Sequence, residues 1–260
     1  MTQYPASHNP QGAERLPVAS VLQAKGESVV WASDGRSAAT AARAHAAGLA
    51  DVETIEEVCR SSDVVICLCP PHAAVEVARA VDGFPGIYVD ANATSPATAH
   101  SIGSRLDRVV DGGVIGPPPR EPRTTRLYLS GEEAGAIAAL FAHSALDARV
   151  VSGGIGAASA VKMAFAAWTK GSAALLLAAR AVADANGVGS ELMEEWRTSL
   201  PELDERLAAA ARSAVGKGWR WVGEMEEIAA AFAADGLPDG FHRAAAEVYS
   251  RYLRPDEHTF

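Results

Sequence analysis

The pattern of apolar and polar positions changes character near the middle of the chain. Residues 63–69 (DVVICLC) give the clearest strand, a continuous apolar run between Ser-Ser and Pro-Pro. A strand buried on both faces of a parallel sheet requires that continuity. Similar runs predict strands over 28–33, 86–90, 108–114, 126–129 and 149–151. Between them, helical spacing or alanine-rich composition predicts helices over 16–25, 37–48, 55–60, 73–81 and 96–106. Pro96 opens the last of these from its first turn, where a missing N–H costs nothing. Strands and helices alternating at this spacing argue for a doubly wound α/β sheet. Residues 1–12 carry no apolar period, and 4–9 do not read as a buried parallel strand.

Past Gly156 the strands stop. Residues 157–185 read as one long Ala/Leu-rich helix, interrupted by Gly171 alone and ended by Asn186-Gly187. Further helices are expected over 191–199, 203–215, 222–234 and 241–253, punctuated by Pro201, Gly216, Gly236 and Pro238. Two domains follow: an α/β domain over 1–153 and an all-α domain over 154–260, entered through the long helix. A mean globular helix has only ~11–12 residues. A much longer one, apolar around its circumference, needs partners on several sides, which predicts a homodimer.

Composition narrows the function. The chain has 260 residues, and 23 Lys plus Arg against 32 Asp plus Glu leave a net charge of −9. An acidic chain without a dense basic run is a poor partner for nucleic acid or an anionic membrane. Lys162, Lys170 and Arg180 interrupt the best apolar stretch before it reaches the roughly 18 residues of a membrane span. The first residues lack the charged and apolar regions of a signal peptide. Three cysteines, Cys59, Cys67 and Cys69, suit a reducing cytoplasm and argue against a disulfide scaffold or a metal site. The expectation is a cytoplasmic enzyme acting on a small molecule.

A parallel sheet binds its ligand outside the carboxyl ends of its strands. Four turns of small residues or prolines are predicted there: 33–37 (SDGRS), 69–72 (CPPH), 90–96 (DANATSP) and 111–119 (DGGVIGPPP). Gly, Pro, Asn and Asp dominate all turns, but four such turns on one edge favour a pocket.

The same segments resemble the β-hydroxyacid dehydrogenase superfamily, which includes 6-phosphogluconate dehydrogenases and imine reductases. The resemblance covers residue 16 onward and is nearest to a phosphogluconate-dehydrogenase-like branch with a poorly characterised C-terminal domain. Residues 90–96 look like the family's Asp-x-Ser-Thr-x-Ser-Pro, with Asn92 and Ala93 replacing Ser-Thr. Residues 111–117 stand where the family has Asp-Ala-Pro-Val-Ser-Gly-Gly, with Ile115 and Pro117 replacing the Ser and the last Gly. Gly156-x5-Lys162 is similar to its glycine-to-catalytic-lysine segment, and Ala166 replaces an Asn. The resemblance implies a Rossmann-like domain, a long interdomain helix and an all-helical domain. It implies hydride transfer between nicotinamide and a C=O or C=N carbon, with Lys162 as proton donor or acceptor. Gly112, Gly113 and Gly116 would bind substrate, while Cys69, Pro70 and Asn92 would contact cofactor. Asn92 would also contact substrate, or be an ordinary turn asparagine. His72 and His242 are each a candidate second proton donor or a structural histidine. Lys170 reads as structural or a rim contact, the tryptophans as core or interface, and Glu224, Glu226 and Glu227 as a solvated helix face.

The dinucleotide fingerprint should place glycines at 10, 12 and 15, but the chain has Pro10, Gly12 and Arg15. Gly12 alone is left to approach a pyrophosphate. At the other end of the cofactor, Asp34 would favour NAD, whereas Ser33, Arg36 and Ser37 would cradle a 2′-phosphate. The Gly-Arg-Ser turn tips the expectation to NADP. The degraded glycines sustain an alternative: a cofactor-free family member that binds a small molecule or performs non-redox acid–base chemistry.

Overall fold

In the computed structural model of the chain, residues 2–5 and 16–252 are described. The chain divides into two compact units, Met1–Lys162 and Met163–Phe260.

The first unit is an eight-stranded sheet with helices on both faces. Its strands are β1 (Thr2–Pro5), β2 (Val30–Trp31), β3 (Ala50–Asp51), β4 (Val64–Leu68), β5 (Ile87–Asp90), β6 (Val109–Ile115), β7 (Thr125–Ser130) and β8 (Leu146–Val150). Its helices are α1 (Leu16–Ala24), α2 (Ala38–Ala46), α3 (Ile55–Ser61), α4 (Ala74–Ala80), α5 (Pro96–Gly103) and α6 (Ala134–Leu140). The strand order is β3-β2-β1-β4-β5-β6-β7-β8. Every pairing is parallel except the antiparallel one between β6 and β7. The alternation along β4 explains its continuous apolar run. Val65 and Cys67 face a core shared with α3, α4 and α5, while Ile66 and Leu68 face a core shared with α1 and α6.

Two expectations give way here. Residues 2–5 do form a strand, paired with β2 and β4 through Thr2↔Val30 and Pro5↔Leu68. A backbone ladder asks for extended chain between two neighbours, not for an apolar pattern. Residues 111–115 lie inside β6, as the strand expected over 108–114 requires, so the turn expected over 111–119 starts only after Ile115; the antiparallel ladder to β7 runs on through Val114↔Leu127 and Ile115↔Arg126. The short strand β3 and helix α6 were not anticipated from pattern.

In the second unit the long helix α7 (Ala157–Ala185) begins at the end of the first and has the length its sequence predicts. It ends with Gly187 at φ 73° and Val188 N–H on the Ala183 carbonyl, a left-handed glycine cap. Helices α8 (Gly189–Ser199), α9 (Leu203–Ala234) and α10 (Gly240–Ser250) follow. Residues 203–234 form one helix rather than two, so Gly216 does not break it. A glycine costs an exposed helix only about 1 kcal/mol against alanine. Gly218 has a packing role, since a Cβ there would lie 3.0 Å from the Tyr252 Cβ.

Candidate active site

Three of the predicted turns share one edge of the sheet. Ser33 to Ser37 follow β2, Cys69 to His72 follow β4, and Ala91 to Ser95 follow β5, all parallel strands. The chain leaves β1 for β2 on one side and later returns to β4 on the other, so the topological switch point lies between β1 and β4. Ligands of open parallel sheets bind in the crevice at such a point. Pro5 and Leu68 are its register partners, and Cys69-Pro70 leads away from it. Gly12, Pro10 and Arg15 lie outside the described residues.

The turn after β2 is closed by Arg36 N–H on the Ser33 carbonyl at 2.9 Å, with Gly35 at φ 66°. Ser37 caps α2, its hydroxyl accepting from Thr40 N–H at 3.3 Å. Ser33, Arg36 and Ser37 are half-buried and Asp34 is exposed. His72 is exposed in a single 3-10 turn, Pro71–Ala73.

Asn92 is buried and its amide is committed within the protein. Its Oδ1 accepts from Cys69 N–H, and its Nδ2 donates to Asp90 and to Cys67 Sγ. The side chain thereby ties the ends of β4 and β5 together. Thr94 donates to the other Asp90 oxygen at 3.3 Å. Burial pushes the Asp90 carboxyl up to about 7; the Asn92 hydrogen bond opposes this, and repulsion from Asp111 adds to it. Asp90 and Asp111 are cross-strand partners on β5 and β6.

Asp111 gathers donors from β7 and the start of α7. Its Oδ2 accepts from Gly156 N–H and Ser159 N–H, both at 2.9 Å, and from the Ser130 hydroxyl at 3.1 Å. Its Oδ1 accepts from the Ser159 hydroxyl at 2.6 Å. Ser130 in turn accepts from Ala158 N–H at 3.0 Å. The N–H groups that a helix start leaves unpaired thus find buried acceptors. Two residues along β6, a Cβ on Gly113 would lie 2.9 Å from the Lys162 Cβ, so only glycine lets α7 seat here. Gly112 meets the Asp90 carbonyl in the same way, at 3.1 Å, and Gly116 turns the chain at φ 123°.

The structure thus brings Lys162 and Gly113 together and places Gly116 past the end of β6. Sequence reasoning missed Asp90, Asp111, Ser130 and Ser159. Two aspartates inside otherwise apolar strands were the available signal, since an ionisable group is seldom buried without partners.

In the helical unit, Lys170 forms an ion pair with Glu224 and lies 5.3 Å from the Trp221 ring centroid. Glu224 is buried, so it is not part of a solvated face. An ammonium inside the unit attracts the one glutamate of that segment that the helix turns inward. Tyr249, packed edge-on to Trp221, donates to the Lys170 carbonyl at 2.7 Å. His242 is buried edge-on against Phe232, and burial pushes its pKa down. Among the described residues no cluster of potential metal ligands is present, and no helix is long and apolar enough to cross a membrane.

The chain is similar to several known proteins. Residues 183–252 match a family described as a domain of unknown function, DUF1932. An uncharacterized 28.5 kDa protein in the 7S RNA 5′ region of Methanothermus fervidus is 33% identical over 163 residues, 62% of this chain. The match spans 63% of that relative's length, less than two thirds. A solved conserved protein of unknown function, described as structurally similar to 3-hydroxyacid dehydrogenases, is 25% identical over 96% of both chains, with a TM-score of 0.68. The 3-hydroxyisobutyrate dehydrogenase of Mycobacterium tuberculosis, solved with L-serine, is 18% identical over 96% of this chain and 92% of its own, with a TM-score of 0.69. A reductive aminase from Aspergillus terreus, in complex with NADPH4, cyclohexanone and allyl amine, is 18% identical over 96% and 93%, with a TM-score of 0.57.

Proposed function

We propose that this chain, which by fold belongs with the β-hydroxyacid dehydrogenase-like superfamily and carries a C-terminal DUF1932 domain, is an NAD(P)-dependent oxidoreductase. It reduces, or oxidises to, a C=O or C=N carbon of a small molecule. The observation that carries this reading is the β6–α7 junction. A lysine on the first turns of α7 is seated on Gly113 of a doubly wound sheet whose central order is β3-β2-β1-β4-β5-β6.

The described residues suit a dinucleotide. The parallel sheet has its switch point at β1 and β4, and the turn after β2 offers the Ser33 and Ser37 hydroxyls with the Arg36 guanidinium, a donor set for a 2′-phosphate. These residues favour NADP over NAD. Cys69 and Pro70 would line the cofactor, with Asn92 holding their backbone in place. When bound, the nicotinamide supplies or takes the hydride. Lys162 holds the proton that goes to, or comes from, the oxygen or nitrogen on the reacting carbon. Gly113 sets the distance of that lysine from the strand, and Gly112 and Gly116 shape the substrate's surroundings.

The protein acts as a homodimer in this reading. Phe165, Trp168, Leu175 and Val182 are exposed on α7; the last three recur every seven residues, the repeat of a helix–helix seam. Pro10 and Arg15 in the sequence favour a second reading, a cofactor-free binding protein of the same fold.

Titration of the full chain with NADPH and then NADH, followed by nicotinamide fluorescence and melting temperature, tests the proposal. Saturable binding with a rise in Tm, larger for NADPH, is expected; a ligand at 100 times its Kd stabilises by about 2.7 kcal/mol. NADPH consumption is then followed with small 3-oxo acids, aldehydes, ketones and cyclic imines, where Lys162→Ala should lower kcat by roughly 10²–10⁴-fold. No shift at millimolar cofactor would overturn the redox reading and leave the second.

A further inference from the structure

We propose that Asp111 and Gly113 are positioning residues that together set where Lys162 stands against the sheet, so that catalysis by the lysine depends on a buried carboxylate it need not touch. This rests on the reading of Lys162 as the proton donor and acceptor.

The argument is one of register. Successive side chains of a strand point to opposite faces, so residues i and i+2 share one. Asp111 and Gly113 are such a pair on β6, and both meet the start of α7. Asp111 fixes the helix along its axis, because its two oxygens accept from Gly156 N–H, Ser159 N–H and the Ser159 hydroxyl. Gly156 presents its N–H through a backbone at φ 97°, and a Cβ there would lie 2.6 Å from the His100 ring. Gly113 fixes the helix across its axis, because β6 and the Lys162 Cβ approach to a distance at which no side chain fits. Residues 159 and 162 are three apart and lie on neighbouring positions of one helical face. The same face of α7 therefore carries the anchor and the lysine. Ser130 closes the arrangement from β7 by donating to Asp111 while accepting from Ala158 N–H.

A helix can be capped by its own N-terminal residue, as Ser37, Thr54 and Ser95 cap α2, α3 and α5. Here the cap comes from a strand 45 residues away in sequence, so it locks the helix to the sheet as well as satisfying its donors. That distinction separates positioning from ordinary capping, and it can be measured.

The chain has four lysines, at 25, 162, 170 and 217. Reductive methylation with ¹³C-formaldehyde gives each a resolvable NMR signal in the full-length protein, and Lys162→Arg assigns the signal of interest. Asp111→Asn keeps the shape of the side chain but replaces one acceptor oxygen with a donor. Gly113→Ala leaves every hydrogen bond of Asp111 in place and adds the Cβ that meets Lys162. Both variants are expected to move the Lys162 signal and leave those of Lys25 and Lys217 in place. With any carbonyl or imine that the wild type reduces, both should lower kcat by about 10- to 100-fold with little change in KM for NADPH, the size of effect a small misplacement produces. In a Lys162→Ala background neither should slow the enzyme further.

An unmoved Lys162 signal in folded Asp111→Asn and Gly113→Ala, with only Tm lowered, overturns the proposal. So does a loss of kcat that adds fully to that of Lys162→Ala. If instead Lys162→Ala alone turns over like wild type, the catalytic reading of the lysine fails. The NMR signal still decides in that case whether Asp111 and Gly113 hold it.

Discussion

In the sheet unit, Ile66, Leu127, Leu129 and Ile137 are fully buried, and Val150 is the large apolar side chain left exposed among its described residues. The helical unit leaves Phe165, Trp168, Leu175, Val182, Val215 and Phe241 exposed, Trp168 by 69% and Phe241 by 76%. Both are built from apolar-rich sequence, so the difference lies in geometry. A sheet has two faces, and short crossover helices cover both within one chain. A 29-residue helix presents apolar positions around its circumference, and three further helices leave part of that surface uncovered. One unit buries its large apolar side chains within itself; the other leaves several of them exposed.

The units also treat buried charge differently. At β5 and β6 two carboxylates lie side by side and are satisfied mainly by neutral donors. In the helical unit a lysine meets a glutamate directly, beside an aromatic ring. Neutral donors hold a carboxylate without a countercharge, which leaves Asp90 sensitive to pH. A paired lysine and glutamate hold each other, so removing either leaves a charge without its partner.

Three experiments test whether the two units differ in this way. The largest effect is expected from Trp168→Glu with Leu175→Glu. A charge on each of two central apolar positions should abolish the homodimer proposed above at micromolar concentration, since a tryptophan buried at an interface is commonly worth about 2 kcal/mol or more. Light scattering after size exclusion measures it, and a wild type that elutes at 27.0 kDa breaks the contrast between the units at once.

Next is Glu224→Gln. It leaves the Lys170 ammonium without its carboxylate and should destabilise by about 3 kcal/mol, read by denaturant unfolding. Lys170 keeps some solvent access, with 18% of its side chain exposed, which sets the expectation at the low end of such pairs. A loss under 1 kcal/mol would show that the two units handle buried charge alike.

The smallest effect concerns Asp90. Its folded pKa of about 7 lies above the ordinary 3.8, so the folded state binds more protons between these values. Stability is therefore highest below the unfolded pKa, falls as pH rises and levels off above the folded pKa. Between pH 5 and 7 this contributes a loss of roughly 2 kcal/mol. His242, pushed down by burial, has the opposite sign, so the readout is the difference between wild type and Asp90→Asn. Equal pH slopes in the two proteins would show that Asp90 does not titrate in that window.

Much of the fold was legible because its signals are local. The DVVICLC run, the proline at the start of α5 and the Asn186-Gly187 end of α7 each act within a few residues of chain. Strand β1 was not legible, since its place between β2 and β4 comes from backbone pairing that a four-residue polar segment does not advertise. The break at Gly216 was misread because a glycine weakens a helix by less than the packing of α9 against α10 restores. Lys162 was legible only through the spacing from Gly156. Its supports were not, because Asp111, Ser130 and Ser159 lie on three elements and mean nothing until these meet.

The class of each half, the alternation of strands and helices followed by helices alone, and the length of α7 were all set by local pattern. These follow from periodicity, which depends on neighbours two to four residues away. Tertiary structure alone decided that Asn92 spends its amide on Cys69, Asp90 and Cys67, that Glu224 turns inward, and that Asp111 anchors the helix carrying Lys162. Each is a hydrogen bond or ion pair between residues distant in sequence. Its strength depends on burial and direction, and neither exists until the chain has folded.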